Sequence, residues 1–175
     1  MFFIPPAFVL KDYYDRRNMQ FRSTTGTVWD EDTLYGIKWP HDVDKLAYYD
    51  ITVPDNMKAG NDIQIVVHGC PMVTNDSGSA KGVVFRSFYN SARAGEVIGA
   101  SGLGDEVTIS IPNGEVAKTM HKEVVAVVPD LQAGDCFSCM FGRNALDELD
   151  TYGELFFTHL KPMFVYVADK IGVTV

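Results

Sequence analysis

Cysteine is scarce in this chain: three in 175 residues, an odd number and too few for a disulfide framework. Free thiols suit assembly in a reducing cytosol. Basic residues are outnumbered, 15 Lys and Arg against 23 Asp and Glu, which leaves a net charge of −8. A nucleic-acid binder needs clustered cations to displace phosphate counterions, so no nucleic-acid partner is expected. No apolar run reaches the roughly 18 residues of a membrane span, so no membrane partner is expected either. The apolar opening MFFIPPAFVL has no basic residue ahead of it and is interrupted by Pro5 and Pro6, so it is not read as an export signal.

What the chain has instead is apolar mass. Hydrophobic residues make up 46 % and aromatics 12 %, enough for a substantial core. The length fits a single domain. The acidic balance suits a protein that stays soluble at high local concentration.

The apolar residues recur with the period of strands. Tyr35–Trp39 alternates, and Pro40 stops it. Leu46–Val53, Asp62–Gly69, Lys81–Arg93, Val107–Ile111 and Thr119–Val128 follow, separated by Pro, Gly, Asn and Asp. Gly95 to Asp105 reads as a glycine-rich connection. The last two strands, Cys136–Arg143 and Leu155–Val167, are expected to form a hairpin across the acidic turn Asn144 to Gly153. About eight short strands with no long helical pattern predict an all-β fold, an antiparallel β-sandwich of jelly-roll type. Residues 35–175 are assigned to that domain. Residues 1–34 lack a core pattern and are expected to form an extended N-terminal arm. Its tip carries Phe2, Phe3, Ile4, Phe8 and Val9, each worth about 1.5–3 kcal/mol if covered by a neighbouring subunit.

Few residues are placed to do chemistry. His68, Cys70, Cys136 and Cys139 are the best approach to a zinc set. On a strand, however, a spacing of three sends Cys136 and Cys139 to opposite faces. His41, His68, His121 and His159 show no metalloprotease spacing. There is no G-x-S-x-G elbow, and Gly95 to Gly104 lacks the lysine of a phosphate-binding loop. The carboxylates Asp30, Glu31 and Asp32, Asp42 and Asp44, and Asp147, Glu148 and Asp150 read as solvated loops. No catalytic residue, cofactor or metal is assigned, and the chain is not expected to be an enzyme. Arg143, alone at a strand end, is expected to clamp Asp150 in a bidentate pair that is structural.

Two motif groups carry a resemblance. One is Ala133-Gly134-Asp135, the strand ending in Arg143, Asp150-Thr151-Tyr152 and the apolar last strand to Tyr166. The other is Val53-Pro54-x-x-Met57-x-x-Gly60 followed by DIQIVVHG. Over about residues 46–168 the chain resembles the single-jelly-roll structural proteins of tailed bacteriophages. The resemblance implies a virion component: some of these proteins are trimeric decoration or cement proteins on the capsid, and others belong to tails or fibres. A capsid decoration or cement protein is expected here, a homotrimer bound to the major capsid protein or another virion protein after assembly in the host cytoplasm. A tail or fibre module that binds a receptor or carbohydrate is the alternative, for which Tyr48, Tyr49, Tyr89 and Tyr152 offer aromatic surface.

Overall fold

The structure, a computed structural model, describes residues 2–4, 28–31, 34–55, 57–95, 102–159 and 162–167. Strands run through them as β1 (Phe2–Ile4), β2 (Val28–Glu31), β3 (Leu34–Trp39), β4 (Ala47–Thr52), β5 (Ile63–Pro71) and β6 (Lys81–Ala92). They continue as β7 (Gly102–Ile111), β8 (His121–Val128), β9 (Cys136–Arg143), β10 (Phe156–His159) and β11 (Met163–Tyr166). No helix occurs among the described residues. The protein is an antiparallel β-sandwich of two sheets. The smaller runs β4-β9-β6-β7; the larger holds β5, flanked by β8 on one side and by β10 and β11 on the other, with β3, β2 and β1 beyond them.

The strand order follows from one long ribbon. β6 pairs with β7 at its tip, then β5 with β8, β4 with β9 and β3 with β10. Rolling that ribbon sets β9 beside β6, and β10 and β11 beside β5. This is the jelly roll, in which successive ribbon rungs alternate between two sheets and their inner faces close on each other.

Side-chain alternation selects those inner faces. On β9, Cys136 and Ser138 are exposed while Phe137 and Cys139 are buried. The core gathers Trp39, Tyr49, Phe85, Phe137, Phe141, Phe156 and Phe164 between aliphatics such as Ile63, Ile65, Ile109 and Ile111. Tyr49 stacks on Phe141 at 5.3 Å and Trp39 meets Phe85 edge-on at 5.7 Å. Such pairs add about 0.5–1.5 kcal/mol beyond their buried area. The indole N–H of Trp39 donates to Thr158 Oγ1 at 2.8 Å, so the buried donor is satisfied.

Several expected features take a different form. The last two strands are not a hairpin: β9 lies in the smaller sheet, and β10 and β11 in the larger. The acidic segment between them crosses from sheet to sheet, as rolling the ribbon requires. Leu155–Val167 is interrupted, yet both halves follow β5. The register advances by two residues between the Thr158–Gly69 and Met163–Val66 pairs. Pro162, which has no N–H for the ladder, lies within that interruption. β7 begins at Gly102, so the glycine-rich connection is partly strand. There a side chain at Gly104 would collide with Ser87.

All the described parts of residues 1–34 belong to the sandwich. Phe2, Phe3 and Ile4 pair with β11 of the same chain, and β2 pairs with β3. The backbone of the expected arm tip thus joins its own sheet instead of reaching to a neighbour, because a strand edge offers N–H and C=O groups that a nearby segment can satisfy. Phe8 and Val9 lie outside the described residues.

Candidate functional site

Arg143 ends β9 pointing into the sandwich and is fully buried. All five of its N–H groups are used. Nε and Nη2 donate to the two carboxylate oxygens of Asp150 at 2.8 and 2.5 Å. Nη1 donates to the carbonyls of Trp39 (3.2 Å) and Glu154 (2.7 Å), and Nη2 also donates to the carbonyl of Tyr152. Asp150 Oδ2 accepts in addition from the Val84 amide at 3.0 Å. One cation therefore joins β3, β6, β9 and the crossing segment 144–155. The structure brings Arg143 and Asp150 together and surrounds them with backbone carbonyls, an arrangement that holds a loop in place and leaves no donor for a ligand.

The loops 40–46, 72–80, 112–120 and 144–155 meet at one end of the sandwich, because every second connection of the roll returns there. Asn75 is their second hub. Its Nδ2 donates to the carbonyls of Ile111 and Ser79, both at 2.9 Å, and its Oδ1 accepts from Ser77 Oγ at 2.7 Å. The Tyr152 hydroxyl donates to the Val73 carbonyl at 2.6 Å and accepts from the Val73 amide at 3.1 Å. Burial, ahead of other influences, raises the pKa of that phenol. Asp44 Oδ1 accepts from the Leu146 amide at 3.2 Å, and its Oδ2 pairs with Arg86 at 2.8 Å. His121 and Glu115 meet at 2.6 Å.

This stapled end exposes apolar side chains. Leu146 is 74 % exposed and Val116 65 %, and Val73, Met120, Leu149 and Leu155 on the same set of loops are exposed too. Sequence reading passed over these residues. The available signal was a pair of leucines set among carboxylates in Asn144-Ala-Leu-Asp-Glu-Leu-Asp150, where a purely solvating loop needs none. Lys45 was also missed. Its alternation with Ala47 and Tyr49 turns it inward, and it is buried with no hydrogen-bond partner for Nζ among the described residues.

The other candidate residues lie apart. Cys136 is exposed and Cys139 buried on opposite faces of β9, and Cys70 is buried in the other sheet, so the three thiols do not converge. Burial raises the Cys70 thiol pKa, with Lys118 acting against it. Among the described residues no group of three His, Cys, Asp or Glu side chains is placed to hold a metal ion. His68 stands opposite Lys122 on β8, and burial, then Lys122 and His159, lower its pKa. Of the four tyrosines proposed as a sugar-binding surface, Tyr49 and Tyr152 are buried, and Tyr89 packs partly against the core. Tyr48 is exposed at 39 %. The Ala133-Gly134-Asp135 turn ties down the opposite end of the sandwich. Asp135 accepts Arg93 Nε and Nη2 at 3.0 and 3.1 Å, and those bonds chiefly lower its pKa.

Fold and surface together define a jelly-roll β-sandwich with a hydrogen-bonded, apolar loop end. No protein-family model and no curated protein matches the chain. Among solved structures it is similar to the carbohydrate-binding module TmCBM61 in complex with β-1,4-galactotriose, with 7 % identity and a TM-score of 0.30 over 91 % of this chain and 87 % of that one.

Proposed function

We propose that this protein is a virion structural protein, a capsid decoration protein that binds the outer capsid surface as a homotrimer and stabilises the shell. The observation that carries its assembly role is the loop end, where exposed apolar side chains stand on a frame of buried hydrogen bonds. Contiguous exposed apolar surface on a rigid support marks an interaction site. The virion setting is supported by the motif resemblance, with the major capsid protein or another virion protein as partner. Val73, Val116 and Met120 supply a subunit contact at the loop end, on loops other than the acidic crossing segment.

Light scattering at tens of micromolar, roughly the range where modest interfaces are occupied, is expected to give a trimer mass. Val116→Asp with Met120→Asp, both at exposed positions, is expected to lower it to a monomer. Purified protein is expected to add saturably to capsid shells that lack it. A monomeric wild type refutes the trimer, and failure to add to shells refutes the decoration role.

A second role, in a tail or fibre module that binds carbohydrate, is favoured by one row of side chains. Tyr48, Met140 and Phe88 lie side by side across the outer face of the smaller sheet. Arg86 lies over the Phe88 ring at 5.8 Å. An aromatic row flanked by Arg86 and Asp44 suits the apolar face and hydroxyls of a sugar. Tyr48→Ala is then expected to abolish signals seen with the wild type in a glycan-binding screen. A wild type that binds no glycan removes this role.

A further inference from the structure

The crossing segment 144–155 does more than join two sheets: part of it lies on the outer face of the smaller one. The Leu149 carbonyl sits where a side chain of Gly82 would be, directly over β6. The amides of Thr151 and Tyr152 both donate to the Gly82 carbonyl at 2.9 Å, and Thr151 Oγ1 accepts from the Gly82 amide at 2.9 Å. Asn144 Nδ2 donates to Glu106 Oε1 on β7 at 2.6 Å, and the Leu146 amide donates to Asp44 on the other flank. The segment is therefore a ledge pinned across the sheet, with Arg143 and Asp150 anchoring it from below.

From this ledge an apolar strip descends over the sheet. Leu146 and Leu149 stand exposed on the ledge. The Asp44–Arg86 pair lies next to them, and Arg86 covers Phe88. Phe88 continues into Met140 and then Tyr48. Acidic residues accompany the strip: Asp42 is two residues from Asp44 on the loop 40–46, Glu106 accepts from Asn144, and Asp147 and Glu148 belong to the ledge, with Asp42, Glu106 and Glu148 exposed. Arg86, the cation within the strip, is already paired with Asp44. An apolar strip with so one-sided a charge repels a second copy of itself and attracts the opposite pattern.

Resting on the assembly role proposed above, we propose that this step between ledge and sheet is the docking surface for a protein segment with apolar side chains flanked by Lys or Arg, supplied by the capsid shell. The leucines and Phe88 meet the apolar side chains, and Asp42 and Glu148 meet the cations. Two independent sets of exposed positions test the two halves of that recognition.

The probe is capsid shell lacking this protein, titrated at about 50 mM and about 500 mM salt, which span a several-fold change in screening length. Wild-type affinity is expected to fall with salt. Asp42→Lys with Glu148→Lys is expected to weaken binding at low salt about tenfold or more and to abolish the salt dependence. Leu146→Ser with Leu149→Ser is expected to weaken binding about tenfold at both salts while keeping that dependence. Circular dichroism confirms that each variant is folded. If wild type binds shells and either pair of substitutions leaves affinity unchanged, the docking surface is refuted and the decoration role stands. If wild type does not bind shells, the decoration role itself is refuted. Neutral glycan binding that competes with shells and is lost in Tyr48→Ala assigns the strip to sugar and overturns the inference.

Discussion

Replacing Arg143 with alanine is expected to destabilise the fold by about 3–5 kcal/mol, the cost of stranding one half of a buried ion pair. The loss has several parts. Asp150 is left as a buried carboxylate whose side chain is 1 % exposed. The carbonyls of Trp39, Tyr152 and Glu154 lose their common donor in the same step. Arg143→Lys is expected to recover little of this, because an ammonium has three donors and no planar fork to match both carboxylate oxygens. Asp150→Ala is expected to be similarly costly. The double change Arg143→Met with Asp150→Leu is expected to lose clearly less than the two single changes added together, since it leaves no uncompensated charge. Urea unfolding of the four variants measures these losses. A loss below about 1 kcal/mol for Arg143→Ala, the range of exposed pairs, would mean that the clamp is ornamental. Shell binding should weaken along with stability in these variants, because the clamp anchors the ledge that carries Leu146 and Leu149.

Lys45→Met is expected to act in the opposite direction and stabilise the protein. Lys45 is 4 % exposed, and its pKa falls from 10.5 to about 8, chiefly through burial, with Asp42 offsetting part of the effect. A fall of that size corresponds to about 3 kcal/mol against the charged form in the folded state. Below about pH 8 the amine is charged in both states, and the full penalty is present. Between about 8 and 10.5 the unfolded chain binds the proton and the folded one does not, so stability rises with pH through that window. Above it the penalty is gone. Methionine fills similar space without a charge, so a gain of about 2–3 kcal/mol is expected at neutral pH. The gain should shrink as pH approaches 10. The difference between wild type and variant isolates Lys45 from every other titrating group. No gain at neutral pH, or a gain that does not change with pH, would show that the amine is solvated in the folded protein.

Much of the architecture is legible in the sequence. The span Cys136–Arg143 coincides with β9, and the alternation in Lys81–Arg93 separates Val83 and Phe85, which enter the core, from Arg86 and Phe88. Strand period is a local property, written in neighbours two residues apart. The pairing of Arg143 with Asp150 was readable for the same reason, since the two lie seven residues apart. The destination of a strand is not local. Cys136–Arg143 and the strand after it looked like a hairpin because they are consecutive. They part because β9 finds β4 and β6 while β10 finds β3 and β5.

The ledge was hidden for a similar reason. Leu146 and Leu149 look like ordinary loop residues until Gly82, Asp44 and Glu106, all distant in sequence, hold their backbone across the small sheet. Tyr48, Tyr49 and Tyr152 were equivalent as aromatics; only their positions across two packed sheets separate an exposed ring from two buried ones. Strand period, acidic charge and the short-range clamp can be read along the chain, because each depends on residues close together or on composition. Which sheet each strand joined, which apolar residues stayed in water, and the burial of Lys45 emerged only on folding. Those outcomes depend on packing between segments far apart in sequence, and a pattern read along the chain carries no record of the surface against which each segment will fold.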